Sequence, residues 1–256
     1  MKRCSYHSPV QSTDLTPRFR SARTDPALAV LEGFHAIKHA IRFGAEFESV
    51  ATWDRAGLRE FAERLAPDVG AELGRLAVEV PRDIFDQLSP TPPDTGVIAI
   101  ARRRVTSLGG VLALSQRAPI VLLESPSHSG NIGAVIRVAA AAGAAAVVTT
   151  GPIDPWNPGA IRGSAGLHFA VPVIRMGVPE IGARELIAID PDGDELTRSA
   201  IPSGAVLAFG SERSGLSSAM LAKASRRIRI PMQPGVSSLN LATAAAVVLY
   251  RWRLQQ

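Results

Sequence analysis

Apolar positions recur at helical spacing early in this chain, and the segments that follow predict strands and helices in turn. Between residues 28 and 41 they recur every three or four residues, which predicts a first helix. Asp25 and Pro26 precede it as start signals, and Gly44 follows as a stop. The next segments predict strands over 47–53, 76–80 and 96–101, and helices over 58–65 and 82–88. Such alternation is typical of a small α/β sandwich.

The second half contains short, fully apolar runs of the kind that lie inside parallel sheets. They predict strands over 120–123, 146–150, 171–175, 186–190, 206–210 and 227–231. Helical patterns over 132–142, 216–225 and 239–252 lie between and after them. The fold class predicted for this half is therefore α/β, with a mostly parallel, doubly wound sheet.

Two segments without such patterning divide the chain. Residues 1–23 are polar and lack sustained periodicity, so we expect a flexible N-terminal tail without a fold of its own. The arginine run at 102–104, followed by Gly109 and Gly110, suits a linker. The predicted units are a tail (1–23), a smaller α/β domain (24–106) and a larger α/β domain (107–256).

Composition and charge narrow the class of protein. Hydrophobic residues make up 46% of the 256 residues and charged residues 20%, as in ordinary globular proteins. The single cysteine, Cys4, excludes an internal disulfide, and no long apolar run follows the N-terminus, so we expect a cytoplasmic protein without a membrane segment. The net charge of +5 makes nucleic acid a plausible partner, although an arginine bias can also reflect genome composition.

Three turns in the second half carry candidate chemistry, because each follows an apolar strand. They contain Asn131, Glu212 and Asn240, the last shortly after Ser238. Ligands in open α/β sheets bind at the carboxyl ends of strands, where such turns meet. The alternative is that Asn131, Ser238 and Asn240 only cap helices.

Together, these segments resemble the three signature motifs of the SpoU, or TrmH, family of the SPOUT RNA methyltransferases. Asn-x-Gly-Ala-x-x-Arg is met by residues 131–137, Gly-x-Glu-x-x-Gly-Leu by 210–216, and Ile-Pro-Met followed by Ser-Leu-Asn by 230–240. The resemblance covers about residues 118–256. It implies a C-terminal trefoil knot, S-adenosylmethionine as cofactor, and a homodimer whose active site draws on both subunits.

The resemblance also implies roles for individual residues. The candidate catalytic residues are Asn131, Arg137, Glu212, Ser238 and Asn240. The candidate cofactor-binding residues are Gly210, Ser211, Glu212, Gly215, Ile230, Met232, Ser238 and Leu239. Arg137 is the candidate general base or oxygen activator. Because a guanidinium stays protonated in proteins, either an RNA phosphate assists its deprotonation or Arg137 simply binds that phosphate. No metal is implied.

The match is not uniform. Ser-His-Ser-Gly precedes Asn131 where relatives often have Asn-Pro-Gly, and Asn-Leu-Ala begins at Asn240 where Asn-Val-Ser is common. His128 and His168 therefore inherit no family role, and we expect both to be solvent-facing loop histidines. Arg162 lies in a small-residue turn that helps hold RNA phosphate in relatives; the alternative is a surface ion pair.

The first domain resembles the ribosomal-protein-L30-like module that accompanies this catalytic domain in ribosomal RNA methyltransferases, with residues 32–37 as the best-matching piece. This module favours rRNA over tRNA as substrate. Lys38, Arg42 and the arginines at 102–104 are candidate RNA contacts, although each could equally be solvated surface.

The predicted function is S-adenosylmethionine-dependent 2'-O-methylation of a ribose in RNA, with 23S-type rRNA favoured. The alternatives are a tRNA 2'-O-ribose methyltransferase and a non-catalytic RNA-binding protein that retains the knotted fold. A dinucleotide-binding enzyme would need a Gly-x-Gly-x-x-Gly turn after its first strand, and this chain has none there.

Overall fold

A computed structural model describes residues 15–114, 118–177, 184–198 and 200–256. The chain forms two sheets flanked by helices, one sheet in each half of the sequence. Most apolar positions of the strands are buried, with Val78 of the short edge strand at 77–79 as an exposed exception. One large cluster of apolar side chains runs through both halves. The α/β fold class predicted from the sequence is confirmed.

The first half is built on a mixed four-stranded sheet of order β1-β4-β2-β3. Strand β4 pairs antiparallel with β1 and β2, and β3 joins β2 in parallel. The strands are β1 (Leu28–Glu32), β2 (Phe47–Thr52), β3 (Ala77–Glu79) and β4 (Val97–Arg102). The helices are α1 (Leu15–Ala22), α2 (Phe34–Arg42), α3 (Arg55–Leu65), α4 (Pro67–Leu76) and α5 (Arg82–Gln87).

The second half is built on a parallel sheet of order β10-β8-β9-β5-β6-β7. Its strands are β5 (Ile120–Leu123), β6 (Ala146–Thr149), β7 (Val173–Arg175), β8 (Leu186–Glu195), β9 (Val206–Phe209) and β10 (Arg226–Arg229). Its helices are α6 (Leu108–Leu114), α7 (Ser129–Ala142), α8 (Pro158–Gly163), α9 (Ser218–Lys223) and α10 (Leu241–Arg253). Because all six strands are parallel, their carboxyl ends share one edge of the sheet. The trefoil knot implied by the resemblance stays a prediction.

Two predictions for the N-terminal region are wrong. Residues 28–32 form strand β1 and not the start of a helix, because all five residues are buried and pair with β4. Gly33, at a φ of 91°, then turns the chain into α2. Part of the expected tail is also folded: α1 covers residues 15–22 and buries Phe19 completely. The rest of that tail, residues 1–14, lies outside the described residues.

The two halves are tied together by side chains from the segment expected to be a free linker. Arg103 forms an ion pair with Asp154 at 2.8 Å, and Arg104 donates to the carbonyl of Phe169 at 2.9 Å. A Cβ on Gly166 would lie 2.2 Å from the carbonyl oxygen of Ala36, so the two backbones are in close contact there. Arg103 and Arg104 therefore hold the halves together, whereas the sequence analysis expected them to be RNA contacts or solvated surface.

His168 lies in this same region and is not the solvent-facing loop residue that we expected. It is 1% exposed, and its ring lies against that of Trp156 with centroids 4.9 Å apart. The ring nitrogens contact the Ser164 hydroxyl at 2.8 Å and the Pro155 carbonyl at 2.7 Å. Burial lowers the pKa of His168 to about 4, so the imidazole is neutral at physiological pH.

This buried neutral imidazole makes stability depend on pH. As the pH falls below about 6.5, the unfolded chain takes up a proton that the folded protein accepts only near pH 4. We expect the free energy of unfolding to fall by up to about 3 kcal/mol from this one group over that interval. Urea unfolding of the wild type and of His168→Gln at a series of pH values measures it. Identical pH slopes for the two proteins would contradict the assignment.

None of the described helices is both long and apolar enough to cross a bilayer.

Candidate active site

The three motif-bearing loops meet at the carboxyl edge of the parallel sheet. The first leaves β5 and enters α7, the second follows β9, and the third follows β10 and enters α10. Between the second and third loops lies a pocket of about 630 Å³. Its lining includes side chains from all three loops, so sequence motifs that are up to 109 residues apart form one site.

Glu212 is the polar centre of this site. Its carboxylate accepts hydrogen bonds from the backbone N–H and the hydroxyl of Ser127, at 2.9 and 2.6 Å, and from the Asn131 amide at 2.5 Å. Burial opposes ionisation of Glu212, but these hydrogen bonds outweigh it and lower its pKa to about 2. Glu212 is therefore an anion at neutral pH that organises donors, and it is a poor proton acceptor.

The two asparagines extend this arrangement into the third loop. The Asn240 amide donates to the Asn131 side-chain oxygen at 3.1 Å, and the Asn240 oxygen accepts from the backbone N–H of Ala242 at 2.9 Å. Asn240 therefore caps α10 and also contacts the first loop. Asn131 lies inside α7, whose N-cap is His128, so the alternative that Asn131 is only a cap is wrong.

Most of the predicted cofactor residues line the pocket. They are Gly210, Ser211, Glu212, Gly215, Ser238 and Leu239. Ile230 and Met232 are not among its described lining residues, and Ile230 packs instead against the apolar core. His128, expected in solvent, is exposed and also lines the pocket.

Sequence reasoning missed two groups of residues at this edge. Ile189 and Pro191 line the pocket because β8 lies beside β9 in the sheet, a neighbour relation that no motif revealed. Glu124 accepts hydrogen bonds from the backbone N–H and the hydroxyl of Ser217, both at 2.7 Å, which ties the first loop to the second a second time. A carboxylate directly after a buried strand was the available signal for Glu124.

Arg137 is not brought together with the other candidate catalytic residues of its own chain. It lies six residues beyond Asn131 on α7, which is about 9 Å along the helix axis and on a different face. It lines a separate cleft of about 600 Å³ between the two halves, together with Lys38 and Arg162. Arg137 therefore lines this interdomain cleft, whereas Glu212 lines the pocket at the sheet edge.

The other predicted RNA contacts are partly occupied by ion pairs. Arg162 bonds the buried carboxylate of Glu32 at 2.6 Å, so the ion-pair alternative applies, although 57% of its side chain stays exposed. Arg42 forms a two-pronged ion pair with Asp68, with both distances 2.7 Å. Lys38 lies 5.9 Å from the centre of the Phe34 ring.

Comparison with known proteins identifies the fold and the motifs together. A profile of the SpoU rRNA Methylase family matches residues 118–250, the part of the chain that holds the parallel sheet and all three loops. The chain belongs to the SpoU rRNA methylase family. The family match predicted from the motifs is confirmed, and this SpoU-family protein is a methyltransferase.

Several relatives resemble this methylase over nearly its whole length. A 23S rRNA (guanosine(2553)-2'-O)-methyltransferase of Bacillus subtilis is 26% identical, over 91% of this chain and 92% of its own. A 23S rRNA (uridine(2479)-2'-O)-methyltransferase of Streptomyces viridochromogenes is 27% identical, over 90% and 84%. The solved SpoU methyltransferase AviRb from Streptomyces viridochromogenes has a TM-score of 0.76 at 25% identity, over 93% and 97%. The similarity therefore includes the first half as well as the matched family region.

The Glu212 network predicts the effect of neutralising that side chain. In Glu212→Gln an amide group replaces one carboxylate oxygen and faces the donors of Ser127 or Asn131, which leaves a donor unpaired. We expect the affinity of the methylase for S-adenosylmethionine to fall about tenfold, a cost of roughly 1.4 kcal/mol. Isothermal titration calorimetry measures it, with Glu60→Gln on the exposed face of α3 as the matched control. Unchanged affinity in Glu212→Gln would show that the network does not shape the pocket.

Proposed function

We propose that this methylase transfers a methyl group from S-adenosylmethionine to a ribose 2'-oxygen of ribosomal RNA, and that it works as a homodimer. The observation that carries the proposal is the Asn131, Glu212 and Asn240 cluster, because it joins residues from all three motif loops beside one pocket. Because ribosomal RNA is the proposed substrate, we expect the enzyme to act in the cytoplasm, where the ribosomes are.

The pocket at the sheet edge fits S-adenosylmethionine in size and chemistry. Its volume of about 630 Å³ is in the range of cofactor sites. Apolar side chains of Ile189, Phe209 and Leu241 suit the adenine ring, and glycines at 210 and 215 let backbone groups approach the ligand. A bound S-adenosylmethionine supplies an activated methyl group on a sulfonium. The related AviRb has been solved in complex with AdoMet.

Arg137 acts on the acceptor and not on the cofactor. Lys38 and Arg162 line the same cleft, so the surroundings of Arg137 favour an anion there. Of the two roles open to Arg137, this charge pattern favours binding of an RNA phosphate next to the acceptor ribose. With that phosphate held by Arg137, the ribose 2'-oxygen would lie in line with the sulfonium methyl, and positioning supplies most of the acceleration. The transfer would release S-adenosylhomocysteine, and the hydroxyl proton would pass to solvent, because a protonated guanidinium cannot accept it.

In a homodimer, Arg137 of one subunit could lie beside the cofactor pocket of the other subunit. Helix α10 packs on α7 and presents Val247 and Tyr250 to the outside, with exposed fractions of 39% and 42%. Leu254, the C-cap residue of α10, continues this row and is 83% exposed. Val236 and Leu239 in the third loop are also exposed. Apolar side chains in such a row suit a two-fold interface. Ser238 and Asn240 of one subunit would then orient RNA held by Arg137 of the other.

The choice of rRNA over tRNA rests on the first half of the chain and on the relatives. Both curated relatives described above act on 23S rRNA, and they match this chain through its first half as well. They modify different bases, a guanosine and a uridine, which is consistent with chemistry directed at the ribose. RNA contacts from Lys38, Arg42 and Arg162 complete the proposal.

Methyl transfer from radiolabelled S-adenosylmethionine to unmodified rRNA transcripts and to tRNA tests this function. We expect label in rRNA, and nuclease digestion should recover it in a single 2'-O-methylated nucleoside. Arg137→Ala serves as the matched inactive variant. Label only in tRNA would change the proposed substrate from rRNA to tRNA. Label on a base would overturn the assignment of the methyl group to ribose.

Subunit mixing tests the shared active site. The assay uses S-adenosylmethionine well below its KM, where Arg137→Ala should be inactive and Glu212→Gln about tenfold less active than the wild type. We expect activity to be regained when the two chains are co-expressed, because each mixed dimer keeps one intact site. Random pairing makes half of the dimers mixed, so recovery should reach about a quarter of wild-type activity. Pairing two copies of Arg137→Ala is the control. No recovery, despite mixed dimers in native mass spectrometry, would contradict the shared site.

A further inference from the structure

A histidine of the first half, His35, lines the interdomain cleft. His35 follows Phe34 at the start of α2 and is exposed, and it lines the cleft together with Arg137 and Arg162. Among the described residues, none forms a hydrogen bond with either of its ring nitrogens. The ring is held in place from below, edge-on to the buried Phe34, with centroids 5.9 Å apart and planes at 75°.

The cleft presents two kinds of chemistry to a ligand. Lys38, Arg137 and Arg162 carry positive charge, and they outnumber the two carboxylates of the lining, Glu32 and Asp94. Arg162 already pairs with Glu32, which fixes its direction while leaving most of the side chain exposed. His35 adds an aromatic surface beside these cations. A nucleotide combines a phosphate, which cations bind, with a flat base, which an aromatic ring can stack on. The cleft therefore matches the chemistry of a nucleotide.

His35 itself does not add to the charge. Burial lowers its pKa first, and the positive charges of Lys38 and Arg137 lower it further, so the imidazole is neutral at physiological pH. His35, Lys38 and Arg137 line the same cleft. A neutral ring interacts with a base through its face, and unpaired RNA bases stack on aromatic side chains including histidine.

His39, one turn further along α2, differs from His35 in this respect. Its Nδ1 contacts the carbonyl oxygen of Ala165 at 2.7 Å, so it serves the contact between the two halves. Of the two histidines that line the cleft, His35 has the ring available for a ligand.

Thr95, which also lines the cleft, accepts the Phe34 N–H at 2.9 Å and so fixes the start of α2.

We propose that the interdomain cleft binds the acceptor segment of the RNA, and that His35 stacks on an unpaired base there while Arg137 and Arg162 bind the neighbouring phosphates. The inference rests on the proposed RNA methyltransferase function. It makes His35 a further substrate-binding residue, supplied by the first half of the same chain that supplies Arg137.

Steady-state kinetics of the full-length enzyme on an unmodified 23S rRNA transcript test this. We expect His35→Ala to raise the KM for RNA about tenfold, the size of one lost stacking contact, with little change in kcat. His35→Phe keeps a stacking ring and should recover most of the affinity. His35→Gln keeps hydrogen bonding without a ring and should not. The affinity for S-adenosylmethionine, measured on each variant, should stay within about twofold of the wild type, because the cofactor pocket is elsewhere.

Two controls separate the ways in which the idea can fail. Glu60→Ala, on the exposed face of α3 and outside the cleft, should behave as wild type. Wild-type kinetics in His35→Ala would overturn the role of His35 while leaving the proposed function intact, and a wild-type-like His35→Gln with an impaired His35→Phe would overturn stacking. If the wild type itself methylates no RNA, the proposed function fails. Fluorescence anisotropy with the same labelled transcript then decides on His35, and equal affinity of wild type and His35→Ala would overturn its role.

Discussion

One ionised carboxylate holds the loops of the candidate active site in place. Glu212 follows β9, its donors Ser127 and Asn131 follow β5, and Asn240 reaches Asn131 from the start of α10. These loops are far apart along the chain. They meet because their strands are parallel and end at one edge of the sheet. A carboxylate with three donors is stable as an anion, so the network needs no metal or second charge to persist at neutral pH.

A second carboxylate plays the corresponding part between the halves of the chain. Glu32, at the end of β1, is 3% exposed in its side chain and accepts from Arg23 and Ser89, both at 2.7 Å, and from Arg162 at 2.6 Å. Burying a carboxylate is tolerated because these partners compensate for lost hydration. The pairing joins α8 of the catalytic half to β1 of the first half, next to the cleft that contains Arg137.

The strands of the parallel sheet and the polar residues of its loops could be predicted, because buried strands are fully apolar and turn residues follow them directly. The placement of Arg137 could not. Its distance from Glu212 depends on the strand order and on the face of α7 that packs inward, which are set by pairings remote in sequence. The helix predicted from residue 28 failed for a related reason, since apolar spacing across a strand and a following helix imitates one long helix. The buried His168 was missed because its partners, Ser164 and the Pro155 carbonyl, carry no periodic signal.

The side-chain ties between the halves have a consequence for how an RNA is selected. Arg103 and Arg104 are anchored to Asp154 and to the Phe169 carbonyl, and the backbones at Ala36 and Gly166 touch. A domain joined by a flexible linker would sample many distances from its neighbour. These anchors set one distance between the surface of the first half and the helix that carries Arg137. If the first half binds the RNA as we propose, this fixed spacing would act as a ruler: the methylated ribose would be the one at that distance from the bound feature, and its neighbours along the strand would lie out of reach.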